Sequence, residues 1–274
     1  MPKKTTAKAK SAKTTKSKIS FDSLNKWNLI MAALHFVQGV AVIILSGASS
    51  LPVTTSYLTL DKLASQSGNP VLVAASRHLF DVNLAYLVAA FFFMSAIAHL
   101  VIATVYRKNY EADLKKGLNK ARWIEYGISA STMMVAIAML SGVYDLSSLL
   151  MIFALDFIMN MMGLVMEVHN QTTKKTNWLS YGIGCLAGIV PWFVFAIYVA
   201  GATSYGSGQV PSFVYWIYLS MFLFFMSFAV NMFLQYKKIG KWADYLYGER
   251  VYMILSLVAK SALAWQVFFG TLRP

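Results

Sequence analysis

Residues 84–105 read LAYLVAAFFFMSAIAHLVIATV, twenty-two positions without one charged side chain. The apolar residues follow one another with no every-second-residue alternation, so the stretch reads as helix rather than as a strand of a membrane barrel. A helix rises about 1.5 Å per residue, and about 20 apolar residues cross a hydrocarbon core of about 30 Å. This segment is long enough to span. Similar blocks recur along the chain, giving seven spans at roughly 27–47, 78–105, 120–141, 146–168, 178–201, 211–235 and 250–271. Of the 274 residues, 58% are hydrophobic and 13% charged, far too apolar for a soluble domain. The expected fold is an all-α membrane protein: a seven-transmembrane-helix bundle over 25–274, multi-pass in the cell membrane, with no room for a separate soluble domain.

The net charge of +13 invites a nucleic-acid partner, and its distribution rejects one. Eight lysines lie in the N-terminal tail and six Lys/Arg in the loop after span 2. Lys174 and Lys175 follow span 4, and Lys237, Lys238, Lys241 and Arg250 follow span 6. Seven crossings place all of these on one face, against Lys62, Arg77 and Arg273 on the other. The excess of Lys/Arg marks the cytoplasmic side, so the N-terminus is expected inside and the C-terminus outside, in contact with the lipid bilayer. Residues 1–24 read as a disordered basic tail that sets topology and meets anionic lipid. No cleavable signal peptide is read, because the basic tract precedes a span long enough to remain in the membrane. Cys185, the single cysteine, cannot form an intrachain disulfide.

One connection is long. The outer loop at about 48–77 contains VTTSYLTL, then the turn residues SGNP, then VLV, and this order predicts a small β-hairpin. An exposed strand edge of that kind can pair with a second copy, so a homodimer is expected.

Inside ILSLVAKSALAWQ, residues 254–266, stands Lys260. A mid-membrane lysine costs on the order of 2.5–3.5 kcal/mol on insertion scales. It is tolerated if it pairs with a carboxylate, and it is useful if its desolvated amine reacts with an aldehyde. Four carboxylates are candidates. Asp81 is expected at the outer start of span 2 in a local helix pair with Arg77, and Glu167 at the inner end of span 4 where water reaches. Asp156 lies mid-span. Glu125, about 8–10 Å into span 3 by helical rise, can meet Lys260 if spans 3 and 7 face each other. Ser256, one turn before Lys260, can hydrogen-bond either group. His35 and His99 fall at a similar depth, where a polar network able to hold water or a proton is expected. No metal site and no catalytic constellation is read, and an enzyme is not expected.

RWIEY at 122–126, GIVPW at 188–192, FLFF at 222–225 and GERVYMILSLVAKSALAWQ at 248–266 resemble the heliorhodopsins, retinal proteins distantly similar to the microbial rhodopsins and inserted in the opposite sense. The resemblance covers about 25–274. It implies all-trans retinal bound covalently as a Schiff base on Lys260, with Glu125 as counterion and Ser256 adjusting the pair. It implies Trp192, Phe225 and Tyr126 around the chromophore, with Pro191 opening the helix backbone beside the ring. His35, His99 and Ser95 match the inner polar cavity. Met133, Met134, Met159, Met161 and Met162 are expected either around the polyene or in ordinary core. Asp156 departs from the family pattern, where an uncharged polar residue is expected. A light sensor acting through an unidentified signalling partner is one reading. Light-driven or light-gated proton or cation transport is another, kept open by Asp156. Against pumping, the position three turns beyond Glu125 is Ala136, in MMVAIAML. A pigment-free carrier, in which Lys260 and Glu125 form a structural ion pair, is the third.

Overall fold

The computed structural model describes residues 19–208 and 210–273. The α-helices among the described residues are α1 (Phe21–Leu45), α2 (Leu84–Ala103), α3 (Arg107–Lys115), α4 (Lys120–Leu140), α5 (Leu146–His169), α6 (Leu179–Tyr205), α7 (Ser212–Lys237) and α8 (Tyr245–Val267). All but α3 are long and apolar enough to cross a membrane. The seven expected spans are therefore present, with shifted ends. Span 2 begins at Leu84 rather than at 78, and span 7 begins at Tyr245, which brings Glu249 and Arg250 into the helix. The boundary drawn for the tail at residue 24 falls inside α1, because Ser20 caps the helix by accepting from Ser23 N. Residues 1–18 lie outside the described residues.

The residues before Leu84 are a strand. β1 (Ser50–Leu60) and β2 (Leu72–Asn83) form an antiparallel hairpin with a bulge between Val53 and Thr54. The predicted hairpin is there and is longer than the sequence suggested. Strand pairing runs through Asn83, opposite Ser50, and the Asn83 side chain accepts from Tyr86 N to start α2. Asp81 is consequently not on a helix. It lies on β2 and meets His78 Nε2 at 2.9 Å, not Arg77.

The hairpin is fastened to the bundle. Thr54 N donates to Tyr144 O at 2.9 Å, and Ser56 N donates to Asp145 Oδ1 at 3.0 Å. Asp145 also caps α5 through Ser148 N. Backbone hydrogen bonds, that of Ser148 first, hold its carboxyl below the ordinary carboxylate range. A depressed folded value means that this fastening is present above the unfolded value and is lost as pH falls through the folded one. Amide exchange at Ser56 is therefore expected to accelerate only on acidification below the carboxylate range, and Asp145→Ala should produce the same acceleration at neutral pH.

Polarity in the bundle is reversed relative to a soluble protein. Asn28, His35, Ser95, Glu125, Asp156 and Lys260 are buried, while Val37, Ile44, Tyr86, Phe193 and Ile197 face outward. Such an arrangement suits a hydrocarbon surround, in which polar groups pair with one another inside. At the end opposite the hairpin, called here the basic end, α3 buries Tyr110 and Leu114 against Leu24, Met31, Ile102, Leu246 and Met253.

Candidate functional site

Lys260 lies on α8 and is 3% exposed. Its Nζ donates to Ser256 Oγ at 2.9 Å and to Glu125 Oε1 at 3.3 Å, so α4 and α8 do bring the two charges together. Glu125 Oε1 also accepts from Ser95 at 2.5 Å and from Ser129 at 2.6 Å. Ser129 stands four residues after Glu125, a helical neighbour that spacing alone could have identified. The Lys260 ammonium sits 5.4 Å from the centre of the Tyr126 ring, and the Tyr126 hydroxyl donates to Tyr252 O. A buried charge is stabilised by this combination of an opposite charge and directed donors.

Behind this pair stand the histidines. The His35 and His99 rings stack with centroids 5.7 Å apart. Asn28 Nδ2 donates to Leu24 O, which turns Asn28 Oδ1 toward His99 Nδ1 at 2.7 Å. Nδ1 is then the donor, and His99 Nε2 is left unpartnered, as are both nitrogens of His35.

Lys260 and Ser256 form part of the wall of a cavity of about 430 Å³ between α4, α5, α6, α7 and α8. The rest of the wall is mostly aromatic and aliphatic. Trp192 and Phe225 line it with their rings 5.6 Å apart, and Met133, Met134 and Met159 line it as well. Met161 and Met162 do not; they pack against Gly127 and Gly184. Close helix approach shapes the space. A Cβ on Gly188 would overlap Met159 Sδ and Phe225 Cζ. Pro191 is buried inside α6, which continues to Tyr205 without the hydrogen bond that a proline nitrogen cannot donate.

The Heliorhodopsin family model matches residues 24–272. This chain belongs to the heliorhodopsins. Membership implies a retinal-based photoreceptor of the multi-pass membrane kind. No curated protein matches the chain. Among solved structures, a light-driven proton pump, LR (Mac), from Leptosphaeria maculans is similar, with TM-score 0.61 and 16% identity over 92% of this chain and 97% of that one. At that identity the likeness concerns the fold alone. The cavity of this heliorhodopsin suits retinal: it is apolar and flanked by aromatic rings, and among the described lining residues Lys260 carries the one amine.

Two further buried groups surround the heliorhodopsin cavity. Asp156, fully buried on α5, accepts from Ser131 at 3.1 Å and from Asn160 at 3.2 Å through Oδ2, while Oδ1 is unpartnered. Toward the basic end, Arg122 donates through Nη1 to Glu249 Oε1 and through Nη2 to Glu167 Oε1 at 2.6 Å. Its guanidinium lies 4.4 Å from the Trp123 ring and 4.0 Å from the Tyr252 ring. Glu167 is thus 1% exposed, not open to water. Neither Arg122 nor Glu249 is marked by hydropathy: Arg122 follows a basic loop, and the helix that carries Glu249 begins five residues before the expected start of span 7.

Proposed function

We propose that this heliorhodopsin is a sensory photoreceptor of the cell membrane, its N-terminal tail in the cytoplasm, in which Lys260 holds all-trans retinal in the dark. The observation that carries the reading is a desolvated amine in the wall of an apolar cavity, with a carboxylate 3.3 Å away. Retinal bound there supplies visible absorption and a double bond that isomerises in light. Lys260 would hold the pigment through Nζ, with a proton on that nitrogen keeping it positive. Glu125 balances that charge, and Ser256 accepts a hydrogen bond from the Lys260 nitrogen and so adjusts the pair. Tyr126, Trp192, Phe225 and Pro191 orient the pigment and exclude water. Ser95, His35 and His99 form the polar side of the pair.

The charge asymmetry supports the inverted orientation, with twenty of 24 Lys/Arg in the sequence segments expected on the cytoplasmic side. The domain description is a basic tail followed by one retinal-binding membrane domain. A homodimer through the hairpin and a signalling partner at the basic end belong to the same reading. Pumping is disfavoured by Ala136, buried and apolar where a donor carboxylate would serve.

Purified protein given all-trans retinal should turn coloured and bleach with hydroxylamine; a colourless product refutes the proposal. In the coloured protein Glu125→Gln should move the absorption to longer wavelength, because a weaker counterion lowers the excitation energy of the positive chromophore. An unchanged spectrum would transfer the counterion role to another carboxylate. Asp156, with one unpartnered oxygen in the cavity wall, favours a second reading of light-driven or light-gated proton or cation transport. A steady photocurrent in a voltage-clamped cell, abolished by Asp156→Asn, would replace the sensor with that reading.

A further inference from the structure

The cluster around Arg122 holds two carboxylates and one guanidinium. Among the described residues Arg122 is the one cation within 4.0 Å of Glu167 or Glu249. The other titratable groups facing them are the phenols of Tyr110 on α3, Tyr126 on α4, Tyr236 on α7, and Tyr245 and Tyr252 on α8. Phenols are uncharged at neutral pH and balance nothing. With both carboxylates ionised, the buried cluster therefore carries one negative charge in excess, the condition under which a low-dielectric site takes up a proton.

The two oxygens of Glu249 differ. Oε1 accepts from Arg122 and from Gln235 Nε2 at 3.3 Å, whereas Oε2 accepts from Asn119 Nδ2 alone, at 2.6 Å. Glu249 also shares a small cavity with Glu125. This cavity, of about 20 Å³, is lined by both carboxylates and by Arg122, with Asn28, His99 and Tyr110 as further polar groups beside the apolar Ala98, Ile102 and Met253. A space of that size accommodates about one water, and the polar groups in its wall can hold one that relays a proton between two acids that do not touch.

We propose that the Arg122–Glu167–Glu249 cluster is a proton store filled from the Lys260–Glu125 pair through this cavity. The inference rests on the photoreceptor reading for its trigger and on the charge count for its capacity. Glu249 is 1% exposed, so the stored proton is kept from bulk water and returns to the pair, which is how a sensor differs from a pump.

Two measurements test it, on the full chain in lipid vesicles. In retinal-free protein labelled with ¹³C-carboxyl glutamate, infrared titration toward acid should reveal one protonated glutamate. Its band should persist in Glu125→Gln and vanish in both Glu249→Gln and Glu167→Gln, since either amide leaves Arg122 with a single carboxylate. In retinal-loaded protein the same acid band should appear transiently in light and be lost in the same two variants. A band that survives in either variant overturns the store, and so does an imidazolium signature with no carboxylic one. Protein that stays colourless with retinal defeats the photoreceptor reading, while the retinal-free titration still judges the cluster.

Discussion

Lys260→Ala is expected to give a protein that stays colourless with retinal at any concentration and is measurably less stable. Colour is lost because no other amine lines the cavity among the described residues. Stability is lost because Glu125 keeps its negative charge, 8% exposed, with only the Ser95 and Ser129 hydroxyls to hold it. Removing one member of a buried ion pair costs about 3–5 kcal/mol, since the survivor is desolvated without compensation. The two losses separate in the double variant Lys260→Met with Glu125→Gln. Neutral groups of similar volume should restore most of the thermal stability in detergent or nanodiscs, and the protein should remain colourless. A hydroxylamine-sensitive visible band in either variant would remove Lys260 from the site.

Arg122→Met should have the largest effect on folding alone. It deletes the hydrogen bonds to Glu249 and Glu167 and leaves two like charges facing each other in the bundle. It also removes a cation placed against Trp123 and Tyr252. The expected loss exceeds the roughly 3–5 kcal/mol of a single broken buried pair, because two carboxylates are stranded instead of one. Adding Glu167→Gln and Glu249→Gln to Arg122→Met should recover much of it, as read by thermal unfolding. A single variant as stable as the parent would mean that the cluster is solvated and that its charge count has no consequence.

Hydropathy and helical spacing identified much of this protein because both are local properties. A span needs about 20 apolar residues wherever they point, so the seven helices, the basic end and the hairpin could be read directly. Lys260 stood out for the same reason: a charge in an apolar run is conspicuous without knowledge of its neighbours. Ser256 and Ser129 follow from helical spacing to Lys260 and Glu125.

What the chain could not declare depends on helix rotation and on which helices pack together. Glu167 was placed in water because it stands near the end of its span, yet α5 turns it onto Arg122 of α4. Glu249 lies just outside the expected span 7, and the start of α8 at Tyr245 carries it inside. Asp81 lay in an apolar block that continues into α2, and only strand pairing across the hairpin separated it from the helix. Hydrophobicity and length are summed along one segment and survive in the sequence. The partner of a buried charge is chosen across 30 to 135 residues of chain by packing, and that choice exists only in the folded bundle.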